Sequence, residues 1–462
     1  MVEALNVLLL ACYELGHQPL SLAWPLAFLR RAGFRAEARD LSLQHLSDDD
    51  IARADFVALA APMHTALRLG AQAARRLRAR NPRAHLCFFG LYAQLNAALL
   101  FEQRLADSVI AGEAESALIE LVRALSAGGG ASGLPGVTTP AARRTATLTR
   151  LSFPVPERAA LPALTEYARY LGGEGAQLAG YVEASRGCLH TCRHCPITPV
   201  YGGRFFVVPA AVVLADIAQQ IEAGAQHLTF GDPDFLNGPK HALAITRELH
   251  RRWPNVSFDF TTKVEHILQQ RAVFTEFAQL GCTFVVSAIE SISDRVLARL
   301  HKGHTAADID AALGVLEAAG IAMQPTLVAF TPWTTLEDYV GQIEWIRERG
   351  LIAHIPPVQL SIRLLLPPGS PLAAAPDAGE WLGDLDAENF TYRWHHPDPR
   401  MDALHSRVAA RVAEAERCGE DSPTTFESVR ALAYATAGQA VPAWRAAPRR
   451  ARPPRLTENW FC

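Results

Sequence analysis

Cys188, Cys192 and Cys195 stand in a CxxxCxxC array within residues 183–197, directly after a short apolar stretch that begins at Tyr181. Three thiolates on one tight loop imply a metal centre. On a four-iron cubane three ligands leave one iron without a protein ligand, and at that open position a small chelating molecule can bind and be reduced. His190 and His194 lie between the same cysteines, so a Cys3His zinc knuckle is the competing reading. Against it, structural zinc usually draws paired ligands from two separated elements, and the chain offers no second pair.

With Arg186-Gly187 before the array and Pro196 after it, the loop resembles that of the radical S-adenosylmethionine (radical SAM) enzymes. The resemblance implies a 4Fe-4S cluster on Cys188, Cys192 and Cys195, with S-adenosylmethionine as cosubstrate. It also implies reductive cleavage of that molecule, normally to a 5'-deoxyadenosyl radical that abstracts hydrogen from a small-molecule substrate. The electron would come from a donor such as a flavodoxin or ferredoxin.

Residues 177–375 carry strand candidates at 181–185, 227–231, 257–261, 283–289, 322–330 and 358–365, with room for a helix between successive ones. That alternation predicts a partial (β/α)6 TIM-type barrel, whose chemistry gathers at the carboxyl ends of the strands. Asp232 there resembles the family's acidic contact to the amino group of S-adenosylmethionine. A turn acid, with Asp234 as a helix N-cap, is the alternative. Ser287 and Glu290 lie in a segment similar to the one that contacts ribose. Arg363 is a lone cation on an apolar strand and needs a carboxylate partner; the cosubstrate's methionine carboxylate and Glu290 are the candidates. The family-like turn 300–304 carries charges expected to be solvated.

Residues 1–126 alternate apolar strands (6–12, 55–61, 85–90) with amphipathic helices (22–32, 66–80), which predicts a doubly wound, Rossmann-like α/β sheet. Its ligand-facing loops are 13–17, 62–65 and 90–93. With the stretch 107–116, the pattern resembles the cobalamin-binding domain that precedes many radical SAM enzymes, and so implies cobalamin. The DxHxxG motif that supplies a histidine to cobalt is absent: His17 follows Gly16, and His64 sits in Met-His-Thr. A Gly-rich run at 127–136 opens a linker expected over 127–176. A helical region is expected at 376–440 and a flexible tail at 441–462.

A chain of 462 residues with 49% hydrophobic content predicts more than one domain with sizeable cores. A net charge of −3 argues against nucleic acid or an anionic membrane as the main partner. No apolar run approaches membrane-spanning length, and a cytoplasmic location is expected. Eight cysteines, scattered outside the triad, suit a reducing compartment.

The Arg- and Pro-rich segment 444–455 is followed by residues 456–462, ending Asn-Trp-Phe-Cys. This ending resembles the radical SAM proteins named for a Cys-Cys-Ala-Glu-Pro or Cys-selenocysteine-Ala-Glu-Pro tail. The resemblance implies a selenoprotein in which Cys462 opens a catalytic, redox-active or soft-element-binding tail. The expected function is radical modification of a small molecule, with methyl transfer if cobalamin is bound. Aminocarboxypropyl transfer, and a non-catalytic zinc or iron-sulfur binding protein, are the alternatives.

Overall fold

Two sheets, parallel except at their edges and wrapped by helices, account for most of the chain in the computed structural model, which describes residues 5–173, 175–443, 450 and 453–458. The first sheet comprises β1 (Val7–Ala11), β2 (Ala36–Asp40), β3 (Phe56–Ala60), β4 (His85–Phe89), β5 (Ser108–Ile110) and β6 (Val137–Thr138), in the order β2-β1-β3-β4-β5-β6. β1 and β3 are buried at every residue because helices cover both faces, as a doubly wound sheet requires. Leu20–Arg31 and Ala114–Ser126 pack on one face through residues such as Leu22, Trp24 and Leu118. His64–Arg80 covers the other with Leu67, Ala71 and Leu77. The polar strand β2, read Ala-Glu-Ala-Arg-Asp, carries too few apolar residues to announce itself and sits at the sheet edge.

The segment expected as a linker is not one loop. It gives β6 to the first sheet and β7 (Arg169–Leu171) to the second. The second sheet continues through β8 (Ala176–Val182), while β9 (Ser185–Gly187) and β10 (Phe205–Val207) pair separately as an antiparallel hairpin. It is completed by β11 (His227–Phe230), β12 (Ser257–Thr261), β13 (Cys282–Glu290) and β14 (Ala322–Leu327). β8, β11, β12, β13 and β14 are mutually parallel, each joined to the next by helical crossovers. The sixth barrel position is held by a single parallel bridge, Phe330 to Arg363, and residues 357–360 form a 3-10 turn instead of a strand. Pro325 in β14 and the Pro356-Pro357 pair remove amide donors that a longer ladder would use.

Beyond the half-barrel, a hairpin of β15 (Leu382–Asp386) and β16 (Thr391–Trp394) leads into helices Pro399–Cys418 and Ser422–Ala437. The hairpin tip docks on the first unit: Phe390 is buried in its core, and the Asn389 carbonyl lies 2.7 Å from His64 Nε2. Finally β17 (Arg455–Leu456) adds antiparallel to β7 at the edge of the second sheet. No described helix is long and apolar enough to cross a membrane.

Candidate active site

The cysteine loop springs from the β9–β10 hairpin at the carboxyl end of the half-barrel. Gly187 starts it with φ +76°, and a Cβ there would lie 2.5 Å from the Arg204 carbonyl oxygen and the Tyr201 ring, so only glycine fits. The loop is tied down by main-chain bonds: Cys188 N to Arg204 O (3.0 Å), Cys195 N to Cys192 O (3.2 Å) and Arg193 N to Leu300 O (3.0 Å). The Thr198 hydroxyl donates to the Cys192 carbonyl at 2.8 Å. Cys192 is buried, Cys188 and Cys195 are half-buried, and burial pushes the Cys188 thiol pKa up. Three sulfur donors on one anchored loop are a set that fits an iron-sulfur cluster.

Beneath the loop lies an ion pair that the sequence did not announce. Glu290, at the end of β13 with φ +64°, accepts from Lys302 Nζ at 3.1 Å and lies 3.2 Å from His194 Nε2. Burial works against the Glu290 charge, but the Lys302 ammonium and the His194 hydrogen bond outweigh it and hold its pKa down to about 2. Burial likewise opposes the Lys302 charge, and Glu290 with the Cys192 and Cys195 sulfurs outweighs it, raising that pKa. Lys302, expected to be solvated, is therefore buried machinery of the loop, and Glu290 is already engaged by it.

The other expected site residues divide. Asp232 is buried in the wall of the central cavity, where Oδ2 accepts from Ala184 N (2.9 Å) and Oδ1 from the Ser185 hydroxyl (2.5 Å). Burial outweighs these bonds and raises its pKa to about 7. Ser287 lies on the other face of β13: Phe284 and Val286 line the cavity, whereas Val285 and Ile289 pack under the helices, and alternation puts Ser287 with the latter. Arg363 is likewise directed elsewhere. It pairs with Asp402 at 2.8 Å, donates to the Trp394 carbonyl at 2.6 Å and stacks 3.6 Å over the Trp394 ring, so neither Glu290 nor a cavity ligand is its partner. Cys462 lies outside the described residues.

The cavity itself, of about 360 Å3, forms where the two sheets' carboxyl ends meet. Glu14, Trp24 and Gly90 reach it from the first unit, Tyr181 and Asp232 from the barrel, and Leu456 and Glu458 from the carboxy-terminal strand. Buried charges bind the two units together: Arg186 meets Glu115 at 2.8 Å and Glu113 at 3.2 Å, both in the first unit. Arg158 pairs with Asp216 at 2.8 Å and donates to the Gln18 carbonyl at 3.1 Å. The first unit offers glycine-rich loop backbone to the cavity: Gly90, at φ +103°, sits so close to Ala61 that a Cβ would lie 3.0 Å from its carbonyl. That surface fits a corrinoid bound without an imidazole from His17 or His64. His17 is buried and stacked 4.3 Å from Tyr181, with burial lowering its pKa to about 3, and His64 is held by Asn389.

A family model described as the radical SAM superfamily matches residues 182–334. The hopanoid C-3 methylase of Methylococcus capsulatus is 24% identical over 346 residues, covering 73% of this chain and 66% of that protein. The ribosomal protein uS12 methylthiotransferase RimO of Cereibacter sphaeroides is 25% identical over 204 residues, 41% of this chain and 44% of that one. The chain thus spans just under two thirds of the first relative's length and less than half of the second's. Among solved structures, the cobalamin-dependent S-adenosylmethionine radical enzyme OxsB with aqua-cobalamin bound shares the fold at a TM-score of 0.70 and 15% identity, covering 88% of this chain and 66% of that one. TsrM from Kitasatospora setae, with cobalamin and a 4Fe-4S cluster bound, does so at 0.58 and 18%, covering 74% and 70%. Residues 182–334, which hold the cysteine loop and most of the half-barrel, thus match the radical SAM superfamily, and the chain as a whole shares the fold of cobalamin-dependent radical enzymes.

Proposed function

We propose that this protein is a cobalamin-dependent radical SAM methyltransferase acting on a small molecule, with a 4Fe-4S cluster held by Cys188, Cys192 and Cys195. The observation that carries the reading is one cavity lined both by residues that flank the cysteine loop, Gly187, Ile197 and Tyr201, and by Gly90 and Gly112 of the first unit. When bound, the cluster supplies an electron to S-adenosylmethionine and the corrinoid carries a methyl group. The chain's own residues position and insulate. Lys302 and Glu290 hold the cysteine loop from below, Asp232 presents a buried carboxyl to the cavity, and Trp24, Phe230 and Phe284 keep its walls apolar. Asp232 is the residue we assign to the amino group of S-adenosylmethionine; Glu290 is assigned a positioning role. A flavodoxin or ferredoxin would deliver the electron. The carboxy-terminal strand brings Glu458 into the cavity wall four residues before Cys462, which supports a role for that thiol at the same site.

The test is to incubate anaerobically reconstituted protein with hydroxocobalamin, desalt it, and analyse the nucleosides formed from S-adenosylmethionine under reduction. Retained corrinoid with S-adenosylhomocysteine and 5'-deoxyadenosine is the expected outcome. Methylthioadenosine as the sole nucleoside would instead indicate aminocarboxypropyl transfer.

A further inference from the structure

We infer that the protein holds a second metal ion, a divalent transition metal of the zinc(II) kind, on His190, His266 and Asp234, separate from the three cysteines. The residues come from three elements. His190 sits in the cysteine loop midway between Cys188 and Cys192, Asp234 follows β11, and His266 lies in the helix Val264–Gln269 after β12. One ligand atom from each lies within 4.8 Å of the others. His190 Nε2 is 3.3 Å from His266 Nε2 and 3.8 Å from Asp234 Oδ2. An ion with bonds near ~2.0–2.1 Å in tetrahedral geometry spaces its ligands roughly 3.3 Å apart, so the two imidazoles already stand at the edge length of such a site.

Two details go beyond proximity. His266 is 8% exposed, with Nδ1 2.9 Å from Asp234 Oδ2 and Nε2 3.3 Å from His190 Nε2, so both nitrogens of a buried ring face members of the cluster. The carboxylate is also aimed: Asp234 Oδ1 is fixed by Leu236 N (3.0 Å) and the Thr262 hydroxyl (2.7 Å), which turns Oδ2 toward both imidazoles and Lys263 N. His190 Nδ1 lies 3.5 Å from Glu265 Oε2, the outer carboxylate that commonly orients a ligating histidine. The Lys263 ammonium beside the site is paired with Glu265 at 3.3 Å. Asp234 and Glu265 against Lys263 leave a net charge of −1 to meet a divalent cation. Bound there, the ion would pin the midpoint of the cysteine loop to the ends of β11 and β12, on the side away from Lys302 and Glu290.

This site does not depend on the cluster, and its test removes the cluster. Full-length protein with Cys188, Cys192 and Cys195 all replaced by Ala is titrated with Co2+ as the optical probe, then with Zn2+. The expected result is one Co2+ per chain, with ligand-field bands free of thiolate charge transfer and displaced by Zn2+. His266→Gln or His190→Gln in that background should weaken binding at least ~10-fold while leaving the metal-free circular dichroism unchanged. In cluster-loaded protein, plasma mass spectrometry should find one zinc that His266→Gln removes without loss of iron. Absence of saturable binding in both preparations, or binding indifferent to both histidine substitutions, overturns the assignment.

Discussion

Glu290 and Lys302 form a buried ion pair directly under the cysteine loop, Oε1 to Nζ 3.1 Å, with His194 of the loop itself 3.2 Å from the same oxygen. The pair couples the end of β13 to the segment that carries Cys188, Cys192 and Cys195. A substitution that breaks it should act on the loop as well as on the fold.

Glu290→Gln leaves the Lys302 ammonium buried without a counter-charge, a change that costs roughly 3–5 kcal/mol. Urea denaturation of the metal-free protein should report that loss, and reconstituted variant should hold less iron per chain. Because the folded Glu290 pKa is depressed to about 2 from its ordinary 4.5, its contribution is present above pH 4.5 and fades as pH falls toward 2. The wild type and variant should therefore converge in stability in acid. A constant gap down to pH 2 would refute the coupling.

Asp232 behaves with the opposite sign. Its folded pKa is raised to about 7 from 3.8, so folding takes up a proton between those values, and the stability it contributes is full below pH 3.8 and lost as pH rises through 7. Asp232→Asn should flatten that decline. The urea midpoint of the variant relative to wild type should be higher at pH 8 than at pH 5. S-adenosylmethionine binding, read by equilibrium dialysis on cluster-loaded protein, should weaken in the same variant.

The carboxy-terminal strand narrows the proposed corrinoid site. Leu456 packs against Tyr170, Phe284 and Val286, and the Tyr13 hydroxyl donates to Glu458 in the first unit's ligand-facing loop. Leu456→Asp, or truncation before residue 453, should therefore tighten hydroxocobalamin binding several-fold in an absorbance titration. Unchanged or weaker binding would mean that the strand is part of the corrinoid site.

Arg186 spans both units, meeting Glu113 and Glu115 on one side and Glu183 at 3.0 Å on the other. Arg186→Met should strand these carboxylates at the seam and cost roughly 3–5 kcal/mol. Limited proteolysis should then cut the seam faster than in the wild type.

Much of this architecture was legible beforehand because it rests on local pattern. The apolar strands 7–11 and 56–60 and the CxxxCxxC loop announce themselves through runs and spacing. What stayed hidden depended on distant partners. Nothing in Leu-His-Lys-Gly-His says that Lys302 is buried, because the carboxylate that makes burial tolerable is Glu290, twelve residues earlier across a strand end. Arg363 was correctly expected to need an acid, but Asp402 belongs to a helix whose docking no periodicity reveals. The outward face of Ser287 follows from the register of β13, and strand parity cannot be fixed from an apolar run in which both faces are buried.

The central claim, a cluster on three cysteines that cleaves S-adenosylmethionine, is tested most directly by one comparison. Wild type and Cys192→Ala are reconstituted with iron and sulfide without air, reduced with dithionite and assayed for nucleosides released from S-adenosylmethionine. The account predicts a brown wild-type protein that bleaches on reduction and forms 5'-deoxyadenosine or S-adenosylhomocysteine, and a variant that loses chromophore and product together. A colourless wild type, or a variant with full turnover, would contradict it.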